Sequence, residues 1–118
     1  MLAKKNLGSP DETRPFKGKG NVQVIALGEA TIGRGTFEPG WKWSEHVKPI
    51  AGGDSCQANH TGYVLSGRMR IKANDGKEIE IGPGDAFVAG PGHDAWIVGS
   101  EPCVIVDWTG IAKYAKKA

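Results

Sequence analysis

"RMRIKANDGKEIEIGPGD", residues 68–85, is the stretch that decides the fold. Asn74-Asp75-Gly76 lies between two segments in which apolar and polar residues alternate, RMRIKA and KEIEIG. Asp-Gly between alternating segments predicts a tight β-hairpin, because glycine accepts the positive φ that such a turn demands. Six residues on, Gly82-Pro83-Gly84-Asp85 has proline second and glycine third, the arrangement of a type II turn. Strand, hairpin, strand and turn therefore follow each other within 18 residues.

The same period of two extends outward in both directions. NVQVIALG (21–28) predicts a first strand, and EATIGRGTF (29–37) a second, alternating through Ala30 and Ile32 with a bend at Gly33–Gly35. CQANHTGYVLSGRMRIKA (56–73) reads as two short strands hinged at Ser66–Gly67, and AFVAGPGHDAWIV and PCVIVDWTG supply the rest. Trp41 and Trp43 stand two apart and would share a face if they lay on a strand. With 18 glycines and 7 prolines in 118 residues, and no long helical period, the expected fold is all-β, a single-domain antiparallel sandwich or barrel. The expected boundaries are a flexible basic arm over residues 1–20 that packs only at its distal end, a barrel over 21–110, and a basic tail over 111–118.

Bulk properties exclude several functions. A net charge of +2 is too small to make nucleic acid or a membrane surface the main partner. No apolar run is long enough to span a bilayer, and the first 20 residues lack the apolar segment of a secretory signal. The cytoplasm is the default compartment, and there Cys56 and Cys103 are expected as thiols or ligands and not as a disulfide. Exposed edge strands of so short a barrel commonly pair with a second copy, so a homodimer is expected.

The order of features, YVLSGRMRI, hairpin, GPGD, apolar strand, PGHDAW and a last strand, resembles the cupin superfamily of jelly-roll β-barrels over roughly residues 22–109. That superfamily has two motifs, His-x-His followed by Glu and Gly, and Gly followed by Pro-x-Gly and His. Aligning the first on Gly67 places its glutamate at His60 and its histidines at Asp54 and Cys56, or at Gly53 and Ser55 with the longer spacing. Aligning the second on Gly84 places its proline at Gly90, its glycine at Gly92 and its histidine at Ala95. The glycine skeleton matches, while each metal-ligand position holds a different residue. The resemblance implies the barrel; it does not transfer a metal or an activity.

The residues themselves leave two readings open. Asp54, Cys56 and His60 share strand parity, His93 shares that of Ala95, and His46 stands across the Gly-rich loop. Cys56, His60 and His93, with His46 or Asp54 as a fourth, suit a divalent zinc or ferrous ion. Alternatively, Cys56 is a small buried hydrophobe, His60 a hydrogen-bonded neutral imidazole, and Asp54 and His93–Asp94 turn residues. A Cys–His nucleophilic pair is a third use of the same residues. Trp43, Tyr63 and Trp96 either line the barrel mouth, where Ala95 frees room for a small-molecule ligand, or pack the core. The expected function is a small-molecule-binding cupin, with a metal-dependent isomerase- or dioxygenase-type enzyme as the alternative.

Overall fold

The structure is a computed structural model that describes residues 1–112 and 114–116. Its elements in chain order are β1 (Glu12–Pro15), β2 (Gly20–Leu27), β3 (Ala30–Phe37), α1 (Trp43–His46), α2 (Lys48–Ala51), β4 (His60–Ser66), β5 (Arg68–Ala73), β6 (Glu78–Ile81), β7 (Ala86–Ala89), β8 (His93–Val98) and β9 (Cys103–Thr109). One sheet has six strands in the order β1-β2-β3-β9-β4-β7, the other three in the order β6-β5-β8. Every pairing is antiparallel. The two sheets face each other as an open jelly roll and do not close into a continuous barrel.

Alternation along the strands builds the core. Val22 and Val24, Val64, Met69 and Ile71, Ile97, and Cys103 and Ile105 all turn inward, with Phe16, Phe37 and Trp41 stacked at one end. Phe37 meets Trp41 edge-on at 4.5 Å between ring centroids, and Phe16 stacks on Phe37 at 5.3 Å. The hairpin at Asn74–Gly76 pairs Ile71 with Ile79, with Gly76 at φ 95°. At Gly82–Asp85 the turn is closed by Asp85 N–H to Gly82 O, while Gly82 N–H returns to the Asp85 carboxylate. Gly67 carries the chain from one sheet to the other at φ 75°, where a Cβ would stand 2.3 Å from Pro102 O. Only glycine fits that crossing.

Three regions depart from the sequence expectation. Trp41 and Trp43 are buried, but not on a strand: Trp41 lies just before the bridge residue Lys42, which pairs with Trp96, and Trp43 opens the short turn α1; Pro49 sits in the first turn of α2. This segment is fixed to β8 by Ile97 N–H to Trp41 O and by Ser44 N–H to the Asp94 carboxylate. Residues 12–15 of the expected arm form an edge strand on β2, with Arg14 and Phe16 buried. The tail is not outside the core: Ile111 and Tyr114 are buried. Buried Arg14 reaches the tail, donating through Nη1 to Ile111 O (2.9 Å) and Tyr114 O (2.7 Å), and through Nη2 to Ala112 O (2.8 Å). Gly33 leaves the notch that Ile111 fills, since a Cβ there would stand 2.2 Å from the Ile111 side chain. Residues 110–112 and 114–116 thus form a strap across one end of the sandwich.

Candidate metal centre

His60 begins β4 and His93 begins β8, on opposite sheets, and both turn inward. Cys56 lies outside a regular strand but is locked to His93 by an isolated antiparallel bridge. Cys56 N–H donates to His93 O at 2.7 Å, and His93 N–H returns to Cys56 O at 3.2 Å. The bridge places a thiol beside an imidazole, and the facing sheet brings the second imidazole to both. The potential ligand atoms of Cys56, His60 and His93 lie within 4.8 Å of one another.

The far sides of both rings are held. His60 donates from Nδ1 to Asp107 Oδ2 at 2.5 Å, and the other Asp107 oxygen accepts from Thr109 N–H. His93 donates from Nδ1 to Gly90 O at 2.6 Å. A carboxylate and a carbonyl can only accept, so both Nδ1 atoms carry the proton and Nε2 is the ring nitrogen left for a ligand. Metal-binding histidines are typically held in this way, with the second ring nitrogen donating to a carboxylate or a backbone carbonyl. The spacing fits as well. An ion about 2.3 Å from sulfur and about 2.05 Å from nitrogen in tetrahedral geometry separates those atoms by about 3.6 Å. Cys56 Sγ and His60 Nε2 stand 3.7 Å apart.

Electrostatics favours a thiolate. Burial pushes the Cys56 thiol up, but the hydrogen bonds and charges of His60 and His93 outweigh it and bring the thiol down to about 6. For His60 burial acts downward, and Asp107 and Cys56 overcome it, raising the imidazole to about 9. Without a metal, the pair is thiolate and imidazolium at neutral pH. The same Cys–His–Asp order also suits a nucleophilic thiol, whose base is oriented by a carboxylate.

His60, His93 and Asp107 open on a cavity of about 50 Å³, room for roughly three or four waters. Its other walls are apolar or aromatic, among them Phe37, Trp41, Trp43, Phe87, Ala95 and Tyr114. The Tyr114 ring meets His60 edge-on at 5.1 Å. Of the residues singled out in the sequence, Cys56, His60 and His93 come together, and Trp43 and Ala95 line the cavity.

The others do not. His46 turns back on its own helical turn, where its Nδ1 accepts from Lys42 N–H at 3.0 Å. Asp54 is exposed in the Gly-rich loop, where strand parity no longer holds. Tyr63 is 41% exposed on the outer face of β4. Trp96 alternates to the outer side of β8, with Lys42 Nζ 5.9 Å from its ring centre. Asp107 and Tyr114 are the functional neighbours that sequence reasoning missed. Asp107 had a signal, a carboxylate at the inward parity of CVIVDWT; Tyr114 had none.

No helix among the described residues is long and apolar enough to cross a membrane. No curated protein matches the chain. Solved structures do resemble it. A protein of unknown function from Rhizobium leguminosarum aligns with TM-score 0.63 and 20% identity over 92% of this chain and 96% of that one. KdgF from Halomonas sp. gives 0.58 and 19% over 84% and 87%. The polyketide cyclase RemF from Streptomyces resistomycificus gives 0.65 and 16% over 92% and 79%. At such identities the likeness shows the fold. The sequence pattern of the cupin domain matches residues 51–109, half of the chain, and the protein belongs to the cupin domain family.

Proposed function

We propose that this cupin binds a small molecule at a divalent metal held by Cys56, His60 and His93. The observation that carries the reading is that both imidazoles have Nδ1 tied, to Asp107 and to Gly90 O, and so present Nε2 to the Cys56 thiolate. Two imidazoles and one thiolate suit zinc or ferrous iron. Three protein ligands leave a position for water or a ligand atom, and the chemistry such an ion supplies is Lewis acidity toward an oxygen placed there. Among the described residues the cavity walls contain no lysine or arginine. Besides His60, His93 and Asp107, the polar groups of its lining are the Tyr114 hydroxyl and the indole N–H groups of Trp41 and Trp43, that of Trp41 being buried without a partner. The open position also favours a second reading, a metal-dependent enzyme acting on the bound molecule.

The test is elemental analysis of protein purified without chelators. Near-stoichiometric metal per chain is expected, lost in Cys56→Ser, His60→Ala and His93→Ala and kept in His46→Ala. Folded protein without metal, still metal-free after incubation with zinc or ferrous salts, overturns the reading.

A further inference from the structure

The ligand cluster does not lie at the bottom of a single pocket. On its other side a groove of about 1010 Å³ runs between residues 51–58 and the strap residues Gly110, Ala112 and 114–116. Trp43 and Tyr114 line both the groove and the inner cavity. Cys56 faces the groove, whereas His60 and His93 face the cavity. The three ligand residues therefore form part of the partition between the two spaces. The inner cavity holds only a few heavy atoms, so a larger molecule must keep its bulk in the groove.

The groove walls describe that bulk. They are mainly apolar, including Trp43, Val47, Ala51, Ala58, Tyr114 and Ala115, with Ser55 and Gln57 as the neutral polar residues. A polyhydroxylated molecule would lose more hydrogen bonds to water than these walls replace. Two aromatic rings at the partition favour a flat apolar body. Among the described residues the one lysine or arginine of the lining is Lys116, at the exposed end of the strap; no aspartate or glutamate lines the groove, and Glu12, the carboxylate that feels the Lys116 charge, is tied to Arg14 outside it. One cationic and no anionic side chain in the lining favours an anion, with its charge at the outer end beside Lys116.

We infer that the groove between residues 51–58 and the strap is a binding subsite for a flat, apolar, monoanionic small molecule, whose inner end passes Trp43 and Tyr114 toward the ligand cluster. The inference names the ligand class of the proposed site and rests on that reading only for the role of the inner end.

Trans-cinnamate is a suitable probe, compared with its neutral amide and with galacturonate, a hydroxylated anion. Binding is followed by tryptophan fluorescence and calorimetry on metal-free protein, and by visible absorption on cobalt-loaded protein. Cinnamate and its amide should bind both forms, cinnamate the more tightly, and galacturonate should not bind. Lys116→Ala should weaken cinnamate by about three- to fivefold, as expected for an exposed ion pair, and the amide by less than twofold. Ala112→Trp, which fills the groove from an exposed position, should abolish binding of both while leaving the cobalt spectrum unchanged.

Galacturonate binding as tightly as cinnamate overturns the inference. So does cinnamate affinity indifferent to Lys116→Ala or to Ala112→Trp. A protein that takes no cobalt but binds cinnamate in the Ala112-sensitive manner keeps the subsite and loses the metal reading. One that takes cobalt and binds no cinnamate does the reverse.

Discussion

The strands β4 and β9 run side by side from one end of the sandwich to the other, and the two ends of this pair are chemically opposite. At one end Val64 lies opposite Ile105 with Cys103 beyond, all buried and apolar. At the other Gly62 lies opposite Asp107, and His60 is tied to that carboxylate. The two cysteines follow the same division. Burial alone acts on Cys103 and pushes its thiol up to about 12. Burial acts the same way on Cys56, yet His60 and His93 bring that thiol down to about 6. Burial is common to both ends; what differs is whether a cation and a carboxylate are buried alongside.

The largest effect that sharpens this contrast is thiol reactivity in metal-free protein. At neutral pH a thiol near 6 is mostly thiolate and one near 12 hardly at all; allowing for the lower intrinsic nucleophilicity of the more acidic thiol, Cys56 should react with iodoacetamide at least about 10²-fold faster than Cys103. The rate at Cys56 should be half-maximal near pH 6, and His60→Asn should move that midpoint above neutrality. Stability follows with a definite sign. Cys56 is lowered from 9.0, so its contribution is present at high pH and is lost as pH falls through about 6. His60 is raised from 6.5, so its contribution is complete below that value and is lost as pH rises through about 9. The ion pair therefore supports the metal-free fold between about 6 and 9. Equal alkylation of both cysteines in folded protein would break the comparison.

A second pair of variants tests whether the two ends are separable. Asp107→Asn keeps the shape but weakens the hold on His60, and metal affinity should fall by about 10–100-fold. Val64→Ala removes two buried methyl groups from the apolar end and should cost about 2–3 kcal/mol of stability. Metal affinity in Val64→Ala should be unchanged, as read by competition with a chromogenic chelator. A loss there as large as in Asp107→Asn would show that the ends are coupled.

How much of this was legible depends on where strand parity applies. Within RMRIKANDGKEIEIGPGD, alternation and turn chemistry agree, and hairpin, turn and hinge at Gly67 all stand in the structure. Within the strands, His60 and His93 could be assigned inward because two-residue spacing fixes a face. Asp107 obeyed the same rule. Asp54 fell outside it, because Gly52 and Gly53 break the strand at φ 80° and 82° and spacing there carries no facial information. The shared face that a strand would give Trp41 and Trp43 does not arise for a related reason, since the chain turns helically from Trp43 to Ala51. The strap was illegible altogether. Arg14 grips carbonyls about a hundred residues away, and backbone acceptors have no side-chain signature in the sequence.

The smallest effect expected concerns Trp96, whose position next to Ala95 suggested the ligand mouth. Alternation sends Ala95 into the cavity and Trp96 to the opposite side of β8, where its ring lies near Lys42 Nζ. An outer-face cation–π contact contributes little, so Trp96→Ala should lower stability by about 1 kcal/mol, including the lost partial burial. Metal stoichiometry and cinnamate affinity should stay within twofold of the parent. The same truncation at Trp43, which lines both spaces, should reduce cinnamate binding by at least about tenfold, as loss of a buried aromatic contact in a binding site does. A Trp96 variant with impaired ligand binding would place the mouth on the outer side of β8, and the inner face of the sandwich would lose its claim to the site.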